Sequence, residues 1–147
     1  EILPNSNWRS VSQCLTHCGD SIYAIAYGKV VRTGWAADGF GNFVLVKHNV
    51  YGVSLFSVYA HNDIVLVAEG DVVIAGTPIA EMGSTVNTSV HLHFEIRRAT
   101  NVDLSQDHPF AGQIYWPSSL QELRANFVDL GPIFGYHNTF AQWDQQN

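Results

Sequence analysis

His91 and His93 are the residues of this chain whose type and spacing best suit metal or acid–base chemistry. In a β-strand, side chains alternate between two faces, so both imidazoles share one face of the segment 91–97. Neutral imidazole is the commonest protein ligand of zinc, and two imidazoles can hold one ion, or one ion and its bound water. The other face is apolar and suits a core: Leu92, Phe94 and Ile96. The alternative is an ordinary solvated strand face, on which neither histidine has a role.

The elements that would position these histidines are short β-strands. Segments rich in β-branched and aromatic residues alternate with turn residues such as Tyr27-Gly28, Tyr51-Gly52 and Glu69-Gly70-Asp71. No long helical period appears before residue 100, so the pattern predicts a mainly β fold of antiparallel sheets built from hairpins. The predicted strands are 22–26, 29–33, 43–47, 53–59, 63–68, 72–74, 78–82 and 92–97.

The chain changes in character after residue 100. Ser119, with Glu122 three residues later, forms a capping-box pattern that predicts one short helix at 119–127. The tail beyond it is irregular and aromatic, which is typical of a segment that covers a body or a partner. The sequence therefore predicts a β domain at 1–100 and an extension at 101–147 that packs on the domain or on a partner.

Length and composition exclude two classes of function. A chain of 147 residues with 46% hydrophobic and 14% charged residues suits one compact domain with its own core. A net charge of −6, from 7 basic and 13 acidic residues, provides no surface for a nucleic acid backbone. No apolar run approaches the thickness of a bilayer, so the chain is not expected to span a membrane.

The two cysteines bear on the cellular compartment. Cys14 and Cys18 could form a short-loop disulfide, a thiol pair or half of a metal site. A disulfide would indicate an oxidising compartment such as a periplasm or the cell exterior, whereas two reduced, buried thiols carry no such implication. The chain begins at Glu1, and the sequence leaves open whether this is a natural mature N-terminus.

Three further segments line up with the paired histidines. They are Gly-Asn-Phe-Val-Leu-Val-Lys-His at 41–48, Val-Tyr-Ala-His at 58–61, and the stretch 70–80 that leads to Gly83-Ser84-Thr85. In this order, closed by His-Leu-His-Phe-Glu at 91–95, they resemble the lysostaphin-type (LytM-like) zinc endopeptidases, which cut peptide cross-bridges of bacterial cell walls. The resemblance covers roughly residues 7 to 98. It implies a peptidase-like fold and a periplasmic or extracellular location.

The resemblance also implies roles for the histidines. In the family, zinc is held by the His and Asp of an early His-x-Gly-x-Asp motif and by the second His of His-x-His, which here is His93. The resemblance places His61 and His91 at the two family positions whose histidines flank the metal and act on water and on the developing oxyanion. A zinc hydrolase also needs an open coordination position, where bound water reaches a pKa of about 7.

The early motif departs from the family pattern. By spacing to the following Gly-Asp, its Asp falls on Asn7 and its His on Leu3. Leucine cannot coordinate a metal, and a neutral amide brings no charge to offset the dehydration of zinc. The loop 86–90 also departs, because it has no glycine where the family has a Gly-rich run. The sequence therefore predicts a degenerate member with no cofactor, or with zinc if it is active.

Three hypotheses follow from these observations. The favoured one is a non-catalytic domain that binds peptidoglycan peptides or a protein partner of a cell-envelope assembly. The second is an active zinc metalloendopeptidase acting on peptidoglycan peptides through a rebuilt site, with His61, His91 and His93 as ligands or with help from His17. The third is a structural subunit that docks through its aromatic tail, 133–143.

Other polar residues have plainer interpretations. His48, His108 and His137 are predicted to be surface or turn residues without a role. Glu95 could orient a histidine, but an ion pair with Arg97 or Arg98 is the favoured prediction.

Overall fold

Seven β-strands dominate the computed structural model, which describes residues 18–87 and 89–131. The sheet order is β1-β6-β4-β3-β2-β5, and β7 pairs with β4. The pairs β1–β6, β2–β3, β2–β5 and β4–β6 are antiparallel. The prediction of a mainly antiparallel β fold with one short helix is confirmed. The elements are β1 Ser21–Tyr23, β2 Gly28–Ala36, β3 Gly41–Val50, β4 Val53–Val65, β5 Val72–Val73, β6 Pro78–Met82, β7 His93–Arg98, a 3-10 helix Ala99–Asn101 and α1 Leu120–Asn126.

Strand β4 differs most from the prediction. The sequence suggested two strands, 53–59 and 63–68, whereas one strand runs through Val53–Val65. Strand β4 continues past residue 59 because it pairs with β6, with Asn62 opposite Met82 and Val65 opposite Ala80. The register shifts between Asn62 and Ile64, so the polar interval at residues 61–63 is an irregularity within a strand rather than a turn.

Strand β7 begins at His93, so the expected start at Leu92 and the placement of His91 on the strand are wrong. The backbone N–H of His91 instead donates to the carbonyl of Gly83 at 3.2 Å. The apolar face is nevertheless as predicted, because Leu92 and Phe94 pack against the core.

The chain divides into two compact units. Within the described residues, the first contains 18–48 and 57–94, and the second contains 49–56 and 95–131. One core cluster of the first unit is aliphatic apart from one tyrosine, and each fully buried side chain of Val or Ile size contributes about 1.5–3 kcal/mol. Its buried members are Ile22, Ala24, Val30, Val44, Val46, Tyr59, Val73, Ile79 and Ala80.

The second unit is organised around a buried arginine. Arg97 donates from Nε to the Glu95 carboxylate and from Nη1 to the carbonyl of Asn101 at 3.1 Å. Its guanidinium also lies 4.7 Å from the ring centroid of Phe110 and 5.3 Å from that of Phe127. The predicted ion pair between Glu95 and Arg97 is therefore confirmed, but in a buried setting rather than on a solvated face.

Helix α1 also belongs to the second unit. The hydroxyl of Ser119 accepts a hydrogen bond from the backbone N–H of Glu122 at 3.1 Å, as the capping-box pattern predicted. The helix is short, and no helix within 18–87 and 89–131 is long and apolar enough to cross a bilayer.

Candidate functional site

Three predicted site histidines lie side by side in the first unit. The ring centroid of His61 is 4.8 Å from that of His91 and 5.7 Å from that of His93. His61 comes from β4, His91 from the loop before β7, and His93 from the first position of β7. His61 is buried, with 4% of its surface exposed, while the other two are half-buried. The fold thus gathers residues that are 30 and 32 positions apart in sequence.

His61 is held in an unusual backbone conformation. Its φ is +62°, in the left-handed region that non-glycine residues seldom occupy. Such a conformation costs of the order of 1–3 kcal/mol and persists only where the surroundings enforce it. Here the N–H of His61 donates to the carbonyl of Phe40 at 2.8 Å, beside the register shift in β4. The hydrogen bond to Phe40 and the neighbouring irregularity of β4 therefore hold the His61 backbone in this conformation.

The imidazole of His61 has a defined tautomer. Its Nδ1 lies 2.8 Å from the backbone carbonyl oxygen of Thr85. Because a carbonyl oxygen only accepts, Nδ1 must carry the proton, and in the neutral ring Nε2 keeps its lone pair. Burial lowers the pKa of His61, the bond to Thr85 opposes this, and the nearby His93 and His91 lower it further. His61 is therefore a neutral hydrogen-bond acceptor at neutral pH.

A buried polar network surrounds the Thr85 end of this contact. The Thr85 hydroxyl donates to the carbonyl of Asn62 and accepts from the N–H of Asn42, each at 3.1 Å. The two asparagines also bond to each other, from Asn42 Nδ2 to the Asn62 carbonyl at 3.2 Å and from Asn62 Nδ2 to the Asn42 carbonyl at 3.1 Å. Sequence reasoning missed this network, although Asn42 follows a glycine-rich turn and Asn62 follows His61.

Gly41 lets β3 approach this network closely. Its φ is +60°, and a Cβ at this position would lie 2.7 Å from both Cβ and the carbonyl oxygen of Thr85, and closer still to Oγ1. Any side chain here would have to displace Thr85. The predicted turn glycine is therefore also a packing requirement of the site.

His91 and His93 have different surroundings. His91 Nδ1 lies 3.1 Å from the backbone carbonyl of Ser89 and 3.3 Å from its hydroxyl. His93 packs its ring against Phe40, with a centroid distance of 5.1 Å. Each of these two histidines is thus oriented by its own neighbours.

The residues present do not make a metal site in the described part of the chain. No group of three or more His, Cys, Asp or Glu side chains there could hold a metal ion, so the three adjacent imidazoles do not form the ligand set expected of a rebuilt zinc centre. The positions predicted to have lost ligands, Leu3 and Asn7, lie outside the described residues, as does His17. Zinc therefore does not fit this histidine cluster by itself.

His48 is not the surface residue that the sequence suggested. It is buried, with Nδ1 2.8 Å from the carbonyl of Tyr27 and Nε2 2.8 Å from the hydroxyl of Ser57. Both ring nitrogens are occupied, which indicates a structural role. His108 agrees with its turn interpretation, since its Nδ1 accepts from the N–H of Phe110. His137 and the aromatic tail 133–143 lie outside the described residues.

Cys18 is disulfide-bonded, which removes the thiol-pair interpretation for this residue. Cys14 lies outside the described residues.

Comparison with known proteins agrees with this architecture. The sequence model of peptidase family M23 matches residues 13–105, a span that begins after Leu3 and Asn7. Lipoprotein NlpD of Yersinia enterocolitica is 51% identical over 79 residues, which are 54% of this chain and 78% of that protein. Murein hydrolase activator NlpD of Escherichia coli (strain K12) is also 51% identical over 79 residues, but these are only 20% of its length. The chain thus spans a small part of some curated relatives.

A solved structure shows the same relationship. The catalytic domain of the antimicrobial peptidase lysostaphin from Staphylococcus simulans superposes with a TM-score of 0.58 and 28% identity. The superposition covers 80% of this chain and 72% of that domain. Because the family match takes in well over half of the chain, and the relatives and this structural neighbour agree with it, the chain belongs to peptidase family M23, in its lysostaphin-type, LytM-like group.

Proposed function

We propose that this chain is a non-catalytic M23 domain that binds a protein partner in the bacterial cell envelope and activates a murein hydrolase. The observation that carries this proposal is the 51% identity, over 79 residues, to proteins named murein hydrolase activator NlpD. That name belongs to the longer relatives, of which the chain spans 20%. The proposal is that the shared domain is the part that engages the hydrolase.

The site chemistry supports binding rather than hydrolysis. Hydrolysis by this family's chemistry depends on a metal ion that polarises the scissile carbonyl and activates a water molecule as the nucleophile. The described histidine cluster does not provide a metal-holding group, and the spacing of the early motif puts Leu3 and Asn7 at two ligand positions. What remains is a cluster of imidazoles with fixed orientations, which suits recognition of a polar group on a partner or on a wall peptide.

The proposed location is the periplasmic side of the cell envelope. Relatives from Yersinia enterocolitica and Haemophilus influenzae are named lipoproteins, one of them an outer membrane antigenic lipoprotein. The disulfide at Cys18 agrees with an oxidising compartment.

A solubilisation assay on purified peptidoglycan tests this function. The chain is incubated with dye-labelled sacculi alone, with added zinc, and with each of a panel of purified murein hydrolases. We expect no release by the chain alone, with or without zinc, and faster release by at least one hydrolase when the chain is present. His91→Ala should weaken the stimulation, whereas the surface substitution Lys29→Ala, on the exposed face of β2, should not.

Two results would contradict the proposal. Zinc-dependent release by the chain alone, lost in a His93→Ala variant, would identify an active metalloendopeptidase with a rebuilt site. Failure to stimulate any hydrolase of the panel would remove the activator role.

A further inference from the structure

We propose that Thr85, braced by the two buried asparagines, is a positioning residue that locks His61 in its Nδ1–H tautomer, so that the site takes a ligand bearing an N–H or ammonium donor. The ligand preference rests on the proposed binding function, whereas the positioning role does not. The positioning role depends on the contact that selects the tautomer and on the bonds that immobilise it. The ligand preference depends on Nε2 of His61, the ring nitrogen that is not bonded to Thr85.

The contact that selects the tautomer is made by a backbone atom. His61 Nδ1 is 2.8 Å from the Thr85 carbonyl oxygen, and this oxygen cannot donate a hydrogen bond. A buried imidazole with a carbonyl beside Nδ1 therefore keeps its single proton on that nitrogen. The opposite tautomer would place two acceptors against each other in a site with only 4% of His61 exposed.

The bonds that immobilise the carbonyl come from the Thr85 side chain. Its hydroxyl accepts from Asn42 N–H and donates to the Asn62 carbonyl, so its one donor and one of its two acceptor sites are used in defined directions. Asn62 Nδ2 also donates to the carbonyl of Tyr59 at 2.9 Å, which ties the network into β4. Thr85 is therefore attached to β3 and β4 at once, and its carbonyl has little freedom to turn away from His61.

The group left to meet a ligand is Nε2. In the Nδ1–H tautomer, this nitrogen accepts hydrogen bonds and repels carbonyl or carboxylate oxygens. His91 differs, because its Nδ1 lies 3.1 Å from the Ser89 carbonyl but also 3.3 Å from the Ser89 hydroxyl, which can donate to it. The acceptor that the geometry assigns to the site is therefore Nε2 of His61. The overall charge of −6 likewise favours a cationic donor over an anion.

Nitrogen-15 NMR tests the positioning role without any ligand. Long-range proton–nitrogen correlation spectra of the labelled chain at a pH of about 8, where imidazole is neutral, report which ring nitrogen carries the proton. We expect a single Nδ1–H tautomer for His61 in the unmodified protein. Observation of the Nε2–H form there would overturn the proposal, whatever any variant does.

Three substitutions separate positioning from stability. Thr85→Val keeps the shape but removes the hydroxyl, so we expect His61 to lose its single tautomer and show a mixture. Thr85→Ser keeps the hydroxyl and should retain the Nδ1–H form. Thr77→Val removes a more exposed hydroxyl in the same unit, one that likewise accepts from a backbone N–H, that of Ile74 at 3.0 Å, and should leave His61 unchanged. A folded Thr85→Val protein with an unaltered tautomer would refute the role of Thr85.

Small probes test the ligand preference. N-acetyl-lysine amide supplies an ammonium donor and N-acetyl-glutamate amide supplies a carboxylate of similar reach. We expect the lysine probe to shift the His61 Nε2 resonance several-fold more than the glutamate probe does, and this difference to shrink in Thr85→Val. The reverse order of shifts would refute the donor preference. Loss of hydrolase stimulation with the tautomer intact would refute only the proposed function, so the two failures are distinguishable.

Discussion

Replacement of Gly41 by alanine should destabilise the site more than any ordinary turn substitution. The new Cβ would lie 2.7 Å from both Cβ and the carbonyl oxygen of Thr85, a distance at which the loop must move. The φ of +60° adds backbone strain of the order of 1–3 kcal/mol, and overpacking adds about 1–3 kcal/mol more. We expect the free energy of unfolding to fall by about 2–6 kcal/mol.

Urea denaturation followed by far-ultraviolet circular dichroism measures this change. Gly76→Ala is the matched control, because Gly76 has a φ of +88° in the same unit but has nothing within 4 Å of the Cβ that alanine would add. It should therefore show the backbone strain alone, of the order of 1–3 kcal/mol. The difference between the two variants isolates the contact with Thr85.

The spectrum of His61 provides a second readout. If Gly41 matters through Thr85, the alanine variant should also show a mixture of His61 tautomers, whereas Gly76→Ala should not. Equal destabilisation by the two substitutions, with His61 unchanged in both, would refute the idea that Gly41 is required because its missing Cβ makes room for Thr85.

Three further predictions concern buried polar groups. Ser57→Ala removes the partner of His48 Nε2 and should cost about 1–3 kcal/mol of unfolding free energy in urea denaturation, whereas a surface role for His48 predicts no change. Arg97→Met leaves the Glu95 carboxylate without its buried cation and should cost about 3–5 kcal/mol by the same measurement, and a neutral effect would contradict the ion-pair account. The pKa of His61 is lower in the folded than in the unfolded chain, so protonation of this residue favours unfolding. The contribution of neutral His61 to the free energy of unfolding is therefore present above the unfolded pKa of 6.5 and is lost as the pH falls through the folded pKa. Denaturation curves across this range should show that loss, and His61→Asn, which suits the positive φ, should flatten it.

The local features of this fold are readable from the sequence. Turn residues such as Tyr51-Gly52 separate β3 from β4, and both residues have positive φ, as a tight hairpin turn requires. The capping box at Ser119 and Glu122 predicted the helix, and the alternation at 92–94 predicted the core-facing side chains. These features depend on residues close together in the chain, so periodicity and turn chemistry suffice to predict them.

The histidine cluster was predictable only in part. The family resemblance named His61, His91 and His93, but no local pattern indicates that His61 adopts a φ of +62° or that His91 lies outside β7. The buried position of His48 was missed for a related reason. Its partners, Tyr27 and Ser57, come from other parts of the chain and are identified only by strand pairing.

The amino-acid sequence by itself determined the β-hairpin architecture, the helix start and the identities of the groups available for chemistry. The tertiary structure alone decided how those groups are oriented, through the contacts of Asn42, Asn62 and Thr85 across 20 to 43 positions of the chain. Hairpin and helix signals arise from neighbouring residues, whereas the tautomer and direction of His61 depend on a backbone carbonyl that only the assembled sheet brings within 2.8 Å.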